Sequence, residues 1–164
     1  MPLILPSLNS ELIDIYNKGK KGNPFPAAVG HKTGKAYFNY VSAGMNAGGG
    51  SFTSMPGGSV LGGDLAEVLG KVPTASGMIT ATNIAKAVDK CLATFLSVHQ
   101  TTIVTAPGKG ALQMELMDLL SAPKGHASLY ATALARALNN FTLTAIVSGV
   151  IPDTPGIPFT GPIS

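Results

Sequence analysis

The chain has 164 residues, which suffices for one domain with its own hydrophobic core and is too short to predict two. Apolar residues make up 45% and charged residues only 12% of it, a composition that excludes a disordered chain and indicates surface buried against partners. Eleven basic and eight acidic residues leave a net charge of +3, which is too weak for a dedicated nucleic-acid binder.

The first nine residues, 1–9, are predicted to form an extended N-terminal arm. Pro2 and Pro6 lie at either side of an apolar run, and proline disfavours a regular helix. No basic segment precedes this run, and the run is shorter than the core of a signal peptide. The sequence therefore predicts no signal peptide.

Three short segments share the pattern acid, Leu, any residue, acid and two apolar or aromatic residues. They are ELIDIY, DLAEVL and ELMDLL, which begin at residues 11, 64 and 115, so that their starts are 53 and 51 residues apart. Their apolar residues fall on one face of a helix, so each segment predicts a short amphipathic helix. We interpret the two acids of each segment as residues near the helix start, where they complement the helix dipole. The acid pairs are Glu11 and Asp14, Asp64 and Glu67, and Glu115 and Asp118.

A longer alanine-rich stretch follows each short segment. AKAVDKCLATF at 85–95 aligns with ATALARALNNF at 131–141 at a constant offset of 46, and both carry an apolar stripe at helical spacing. The first unit offers the weaker match GKAYFNYVSAG at 34–44. We therefore predict an all-α fold with a single helical domain over residues 1–164, a small bundle built from about three hairpins of a short and a long helix.

Glycine and proline mark the segments outside the predicted helices. Residues 47–63 predict a glycine-rich connector between the first two hairpins. Residues 152–164 carry four prolines at a spacing that forbids helix and favours an extended, polyproline-like C-terminal arm. Deleting this arm is expected to leave the helix content nearly unchanged. The arm residues predicted to bind partners are Pro2, Leu3, Ile4, Leu5, Pro155, Ile157, Pro158, Phe159 and Pro162.

The motifs that would carry chemistry fail on spacing. GHKTGKA at 30–36 has three residues between its first glycine and the Gly-Lys pair, whereas a phosphate-binding loop needs four. His31, His99 and His126 show no local metal-ligand spacing, and the two Gly-His pairs among them are interpreted as a repeated helix-entry feature. Cys91 lies on the predicted apolar stripe, where a thiol is usually a small buried hydrophobe. The sequence predicts no catalytic, cofactor-binding or metal site and no enzyme activity.

The remaining features are typical of an assembly protein. The apolar N-terminal run, the alanine-rich helix NIAKAVDKCLATF, the glycine-rich connector and the tail PGIPFTGPIS resemble, in overall character, small structural proteins of tailed-bacteriophage virions. The resemblance implies a non-enzymatic component of the tail, baseplate or neck, whose arms lace neighbouring subunits together, and it carries over no active residue. It implies a protein made in the host cytoplasm and located in the virion. Its partners would be other subunits, with copies of itself as one option, without specific nucleic-acid binding or a membrane span.

Two alternatives come from other classes of function. Low charge and many glycines and alanines are also typical of a membrane-active helical protein, because small residues permit close helix packing in lipid. A small enzyme with dispersed catalytic residues is the second alternative, and the three histidines would be its best candidates.

Overall fold

The computed structural model describes residues 3–18, 26–53, 57–71, 76–97, 103–121, 126–152 and 155–164. Within these residues six helices form three hairpins, each of a short helix followed by a long one. The short helices are α1 (Leu5–Lys18), α3 (Gly57–Gly70) and α5 (Lys109–Ser121), and the long helices are α2 (Pro26–Ser42), α4 (Gly77–Ala93) and α6 (Ala127–Leu143). Each long helix has 17 residues, and the short helices have 14, 14 and 13. The prediction of a mainly helical fold is confirmed.

Strands make the all-α assignment wrong in one respect. In the described part of the chain, β1 (Phe52–Thr53) pairs with β2 (Leu96–Ser97) in a two-stranded antiparallel sheet. The strands β3 (Ile103–Thr105), β4 (Ile146–Ile151) and β5 (Ile157–Pro162) form a three-stranded antiparallel sheet in that order. Because β2 and β4 directly follow long helices, both sheets lie at the end of the bundle where those helices terminate.

The helices form a closed ring. Each helix packs against the next one along the chain, and α6 packs against α1. The short helices place equivalent leucines in the core, which are Leu8, Leu61 and Leu112 in one set and Leu12, Leu65 and Leu116 in the other. Their spacing of 53 and 51 residues is the spacing predicted from the short segments.

Seven buried positions recur in every long helix. They are Gly30, Thr33, Gly34, Ala36, Tyr37, Tyr40 and Val41 in α2, then Ala81, Ile84, Ala85, Ala87, Val88, Cys91 and Leu92 in α4, and Ala131, Leu134, Ala135, Ala137, Leu138, Phe141 and Thr142 in α6. Equivalent residues in α4 and α6 are 50 positions apart, so the predicted offset of 46 is wrong by four residues. A shift by four residues is close to one helical turn and preserves an alanine-rich stripe, because residues i and i+4 lie on the same face.

The repeated acids do not lie where the helix-dipole interpretation requires. No acidic residue lies in the first turn of α1, α3 or α5. Glu11, for example, comes six residues after the first residue of α1. The interpretation is therefore wrong, because each short helix begins about two turns before its acid pair.

Residues 57–63 of the segment predicted as a connector are helical, since α3 begins at Gly57. The glycines of α2 lie directly against the backbone of α3. A Cβ atom on Gly34 would lie 2.6 Å from the Gly62 backbone nitrogen, and one on Gly30 would lie 2.6 Å from the Ala66 Cα atom. The two helix backbones are therefore in direct contact, and this packing outweighs the cost of about 1 kcal/mol for each glycine in a helix. The connector predicted over 47–63 is wrong where α3 begins.

We expect Gly30→Ala to lower the free energy of unfolding by about 1–3 kcal/mol. The added methyl group would overlap the α3 backbone, which cannot move away as a flexible side chain would. Gly63→Ala is the matched control, because a Cβ atom at Gly63 would meet no atom within 4 Å. The control is expected to be neutral or stabilising by up to about 1 kcal/mol. Urea denaturation measures both variants, and equal effects would contradict the close helix contact.

The N-terminal arm predicted over residues 1–9 is helical from Leu5 onward, which makes that part of the prediction wrong. Pro6 is compatible with the helix because it lies in the first turn, where the backbone N–H has no partner within the helix. Leu8 is 1% exposed and lies in the core. Pro2 lies outside the described residues.

The C-terminal arm predicted over 152–164 contains strand β5, which pairs with β4 along its whole length. Beyond the strand, Ile163 is 1% exposed, and the Ser164 and Met45 backbones exchange hydrogen bonds of 2.7 and 3.0 Å. The polyproline-like prediction is wrong for this part because proline is also tolerated in an edge strand, where the absent N–H removes no ladder hydrogen bond. The tail therefore packs against its own chain.

Candidate assembly interface

The sheet of β3, β4 and β5 has one face against the helices and one face outward. Val104 and Val147 are paired across β3 and β4 and are 6% and 0% exposed, which places the inner face on the core. Residues an odd number of positions from Val147 along β4 lie on the opposite face, and two of them, Ile146 and Val150, are 44% and 40% exposed. We define the outward face by six residues of β4 and β5, which are Ile146, Ser148, Val150, Pro158, Thr160 and Pro162.

Cross-strand pairing orders the outward face in three rows, which are Ile146 with Pro162, Ser148 with Thr160, and Val150 with Pro158. An apolar row therefore lies on each side of a central hydroxyl row. None of the six side chains is charged.

Apolar residues on this face are unusual for an antiparallel sheet whose other face is covered, because its outer positions are commonly polar. The β4 sequence IVSGVI places β-branched residues on both of its faces. A single exposed apolar residue needs no explanation, whereas two cross-strand pairs of apolar residues on the same outward face favour a contact surface. Four of the six residues of the outward face are apolar.

The outer edge of β5 disfavours the addition of another strand. Pro158 and Pro162 lack backbone N–H groups. Because they are four residues apart, they lie on the same side of the strand. Past the end of the strand, Ser164 pairs with the backbone of Met45. Prolines in an edge strand oppose edge-to-edge pairing. A partner is therefore expected to contact the face of this sheet rather than its edge.

The structure divides the residues that were predicted to bind partners. Pro158 and Pro162 lie on the outward face, Leu3, Leu5 and Phe159 are half-buried against the core, and Ile4, Pro155 and Ile157 are exposed elsewhere. Their binding role stays a prediction. Ile146 and Val150 were not predicted, although the β-branched residues of IVSGVI were a signal for a strand.

Cys91 occupies one of the recurring buried positions of the long helices, as predicted for a small hydrophobe. Its thiol group donates a hydrogen bond of 3.5 Å to the carbonyl oxygen of Gly57. Burial raises the pKa of Cys91 to about 12. The thiol therefore stays protonated at neutral pH and is a poor nucleophile.

The two described histidines occupy different positions in their helices. His126 is the N-cap residue of α6, although its side chain makes no capping hydrogen bond. His31 is exposed and lies five residues after the start of α2 at Pro26, so the predicted helix-entry position is wrong for it. His99 lies outside the described residues. Among the residues that the structure describes, no group of three or more His, Cys, Asp or Glu could hold a metal ion.

A buried polar cluster joins α2 to α6. The Tyr37 and Thr142 hydroxyl groups share a hydrogen bond of 2.8 Å, and the Tyr40 hydroxyl group donates one of 2.6 Å to Asn139 Oδ1. Burial raises the pKa of Tyr37 and raises that of Tyr40 to about 12, so both phenols are neutral at physiological pH. The cluster holds two non-sequential helices together, which is a structural role.

A groove recurs between the two helices of a hairpin. The α3–α4 groove of about 340 Å³ and the α1–α2 groove of about 410 Å³ are lined by equivalent residues, with acids from the short helix and bases from the long one. In the second hairpin Lys90 Nζ lies 3.2 Å from Asp64 Oδ2, and in the third Asn140 Nδ2 donates to Glu115 Oε1 over 3.3 Å. These contacts explain the first acid of the second and third pairs as a partner of the adjacent long helix, whereas Glu67 pairs with Lys71 next to the end of its own helix. Exposed pairs of this kind contribute at most about 1 kcal/mol.

Two further observations concern membrane-spanning helices and similarity to known proteins. In the described ranges, no helix is both long and apolar enough to cross a membrane. No protein-family model matches the sequence, and no curated protein or solved structure is significantly similar to it.

Proposed function

We propose that this chain is a non-enzymatic structural subunit of a large protein assembly, and that the assembly is a bacteriophage virion. The observation that carries the first part is the uncharged, largely apolar outward face of the three-stranded sheet. The second part is supported by the resemblance in overall character to small virion proteins of the tail, baseplate or neck.

Burial of the outward face against another subunit is favourable on physical grounds. Ile146 and Val150 are 44% and 40% exposed, and removing apolar surface from water contributes about 25 cal/mol per Å². The six residues of the face include no charged group, so covering them carries no cost of charge desolvation. Contact with another subunit is therefore the use that best suits this surface.

The membrane-active alternative was motivated by small residues that permit close helix packing. The glycines of α2 and α3 make such a contact inside this chain, so that part of the composition no longer requires lipid to explain it. Release of a dye from liposomes by the purified chain would favour the membrane alternative over the proposed role.

Mass spectrometry of particles purified from cells that produce the chain tests the proposal. We expect the wild-type chain in the particle and expect Val150→Lys to be lost from it, because a lysine on the outward face would be buried without a partner. Val60→Lys is the matched control, since Val60 on α3 is 37% exposed against 40% for Val150. Absence of the wild-type chain from the particle would refute the assembly role. Incorporation of both variants would refute the role of the outward face.

A further inference from the structure

The outward face is complementary to itself. Each of its two strands presents an apolar residue, a hydroxyl residue and another apolar residue, in the order Ile146, Ser148, Val150 on β4 and Pro158, Thr160, Pro162 on β5. This order is unchanged when the direction of a strand is reversed. We infer that the partner at this face is a second copy of the chain, placed face to face about a two-fold axis along the Ser148–Thr160 row. The inference rests on the proposed assembly role and specifies one of its contacts.

The two-fold axis determines which residues meet. It places β4 of one copy over β4 of the other in the opposite direction, so that Ile146 faces Val150 of the partner subunit. In the same way Pro158 faces Pro162 of the partner subunit. Ser148 faces its own counterpart on the axis. A two-fold contact uses the same patch on both subunits, which is the condition that this face meets.

Charge also suits an identical partner at this face. The chain has a net charge of +3, so two copies repel each other on average. The outward face has no charged side chain, and contact there is therefore free of like-charge repulsion at the closest approach. The prolines of β5 oppose edgewise pairing of two sheets and leave the face as the accessible surface.

The size of the face limits the strength of the contact. Strands β4 and β5 have six residues each and are about 20 Å long, and two strands are about 10 Å wide, which gives roughly 200 Å² of flat sheet on each copy. A stable interface buries about 800 Å² on each partner. The isolated pair is therefore weak, with a dissociation constant above about 10 µM. In an assembly, other contacts acting at the same time raise the effective affinity.

Sedimentation velocity of the purified full chain measures this association. Between about 10 µM and about 1 mM we expect a reversible equilibrium of monomer and dimer. Val150→Lys is expected to weaken the dimer by about tenfold or more, because the contact would bury an unpaired charge. Val60→Lys adds the same charge on α3 and is expected to change the dissociation constant by no more than about twofold. Circular dichroism verifies that both variants are folded.

Cross-linking with a short bis-maleimide tests the geometry of the pair. Ser148→Cys is expected to form covalent dimers, because the two copies of this position face each other on the axis. Ile146→Cys alone is expected to cross-link poorly, whereas a mixture of Ile146→Cys and Val150→Cys chains is expected to cross-link well. Met114→Cys on α5 is the control, since Met114 is 69% exposed and lies off the outward face. Cys91 is buried, so the wild-type chain supplies the background.

The outcomes separate the inference from the proposed function. Preferential cross-linking at Ser148→Cys, together with a dimer weakened by Val150→Lys, supports the second copy as the partner. A chain that remains monomeric at about 1 mM, or equal cross-linking at Ser148→Cys and Met114→Cys, overturns the inference. If such a chain is still found in the particle, the assembly role stands and the outward face binds a different subunit. Self-association by a chain that is absent from the particle would refute the assembly role alone.

Discussion

A chain that ends after residue 156 is expected to lose most of its stability. The truncation removes β5 and Ile163, which is 1% exposed, and it uncovers Val147, which is 0% exposed. Loss of one buried isoleucine side chain costs about 2–5 kcal/mol, against about 5–15 kcal/mol for the total stability of a typical domain. We expect thermal unfolding, followed by circular dichroism, to lose its cooperative transition. This result would replace the expectation from sequence that removal of the tail leaves the helices unchanged.

Two isoleucines of the same tail provide a matched pair for this prediction. Ile163 is 1% exposed and Ile157 is 51% exposed. We expect Ile163→Ala to lower the free energy of unfolding by about 2–5 kcal/mol and Ile157→Ala to change it by no more than about 0.5 kcal/mol. A truncated chain whose stability lies within about 1 kcal/mol of the full chain would show that β5 is not part of the core.

Phe95→Ala is expected to lower the free energy of unfolding by about 3–5 kcal/mol. Phe95 is 0% exposed, and its ring centroid lies 5.6 Å from that of Phe38 on α2 and 6.2 Å from that of Phe52 on β1. The substitution therefore leaves a cavity where α2, β1 and the end of α4 meet. Aromatic pairs of this kind add about 0.5–1.5 kcal/mol beyond the burial of their area. Urea denaturation measures the loss.

Two other positions calibrate the Phe95 result. Phe141 in α6 is 2% exposed, so Phe141→Ala is expected to resemble Phe95→Ala. Leu143 at the end of the same helix is 53% exposed, and Leu143→Ala is expected to change stability by no more than about 0.5 kcal/mol. A loss below about 1 kcal/mol at Phe95 would contradict its position in the core.

The hairpins could be predicted from sequence because their signals are local. The leucine of each short segment, such as Leu12 and Leu65, is followed by further apolar residues at helical spacing, and this pattern needs no knowledge of distant residues. The alignment of α4 with α6 depended on which alanine-rich turn is buried. Ala85 and its neighbours form an apolar stripe in more than one register. The sequence alone therefore does not determine the offset between α4 and α6, which the buried positions of the folded structure give as 50 residues.

The glycine-rich and proline-rich segments could not be assigned from local pattern alone. Gly62 favours a loop by propensity, but it lies in a helix because the preceding helix, α2, packs against it. Pro158 and Pro162 correctly predicted that the tail is not helical. Whether the tail forms a free arm or an edge strand depends on β4, with which it pairs, and the local sequence does not reveal that partner. In both cases a tertiary contact overrides the local preference.

The candidate interface was predicted in part. Pro158 and Pro162 were among the residues predicted to bind partners, and they lie on the outward face. Ile146 and Val150 were not, because a strand of apolar residues does not reveal which of its faces the core covers. Because Val147 is buried on the inner face, the alternation of the strand places Ile146 and Val150 on the opposite face, where they are exposed.

The closed ring has a consequence for how this fold can change. In an open solenoid, units can be added or lost at either end, and the terminal units carry polar caps. Here α6 packs against α1, so every hairpin has a neighbour on both sides and none is terminal. A fourth hairpin would need a wider ring and a different crossing angle at every helix contact. Substitutions within a unit are therefore accommodated more readily than any change in the number of units.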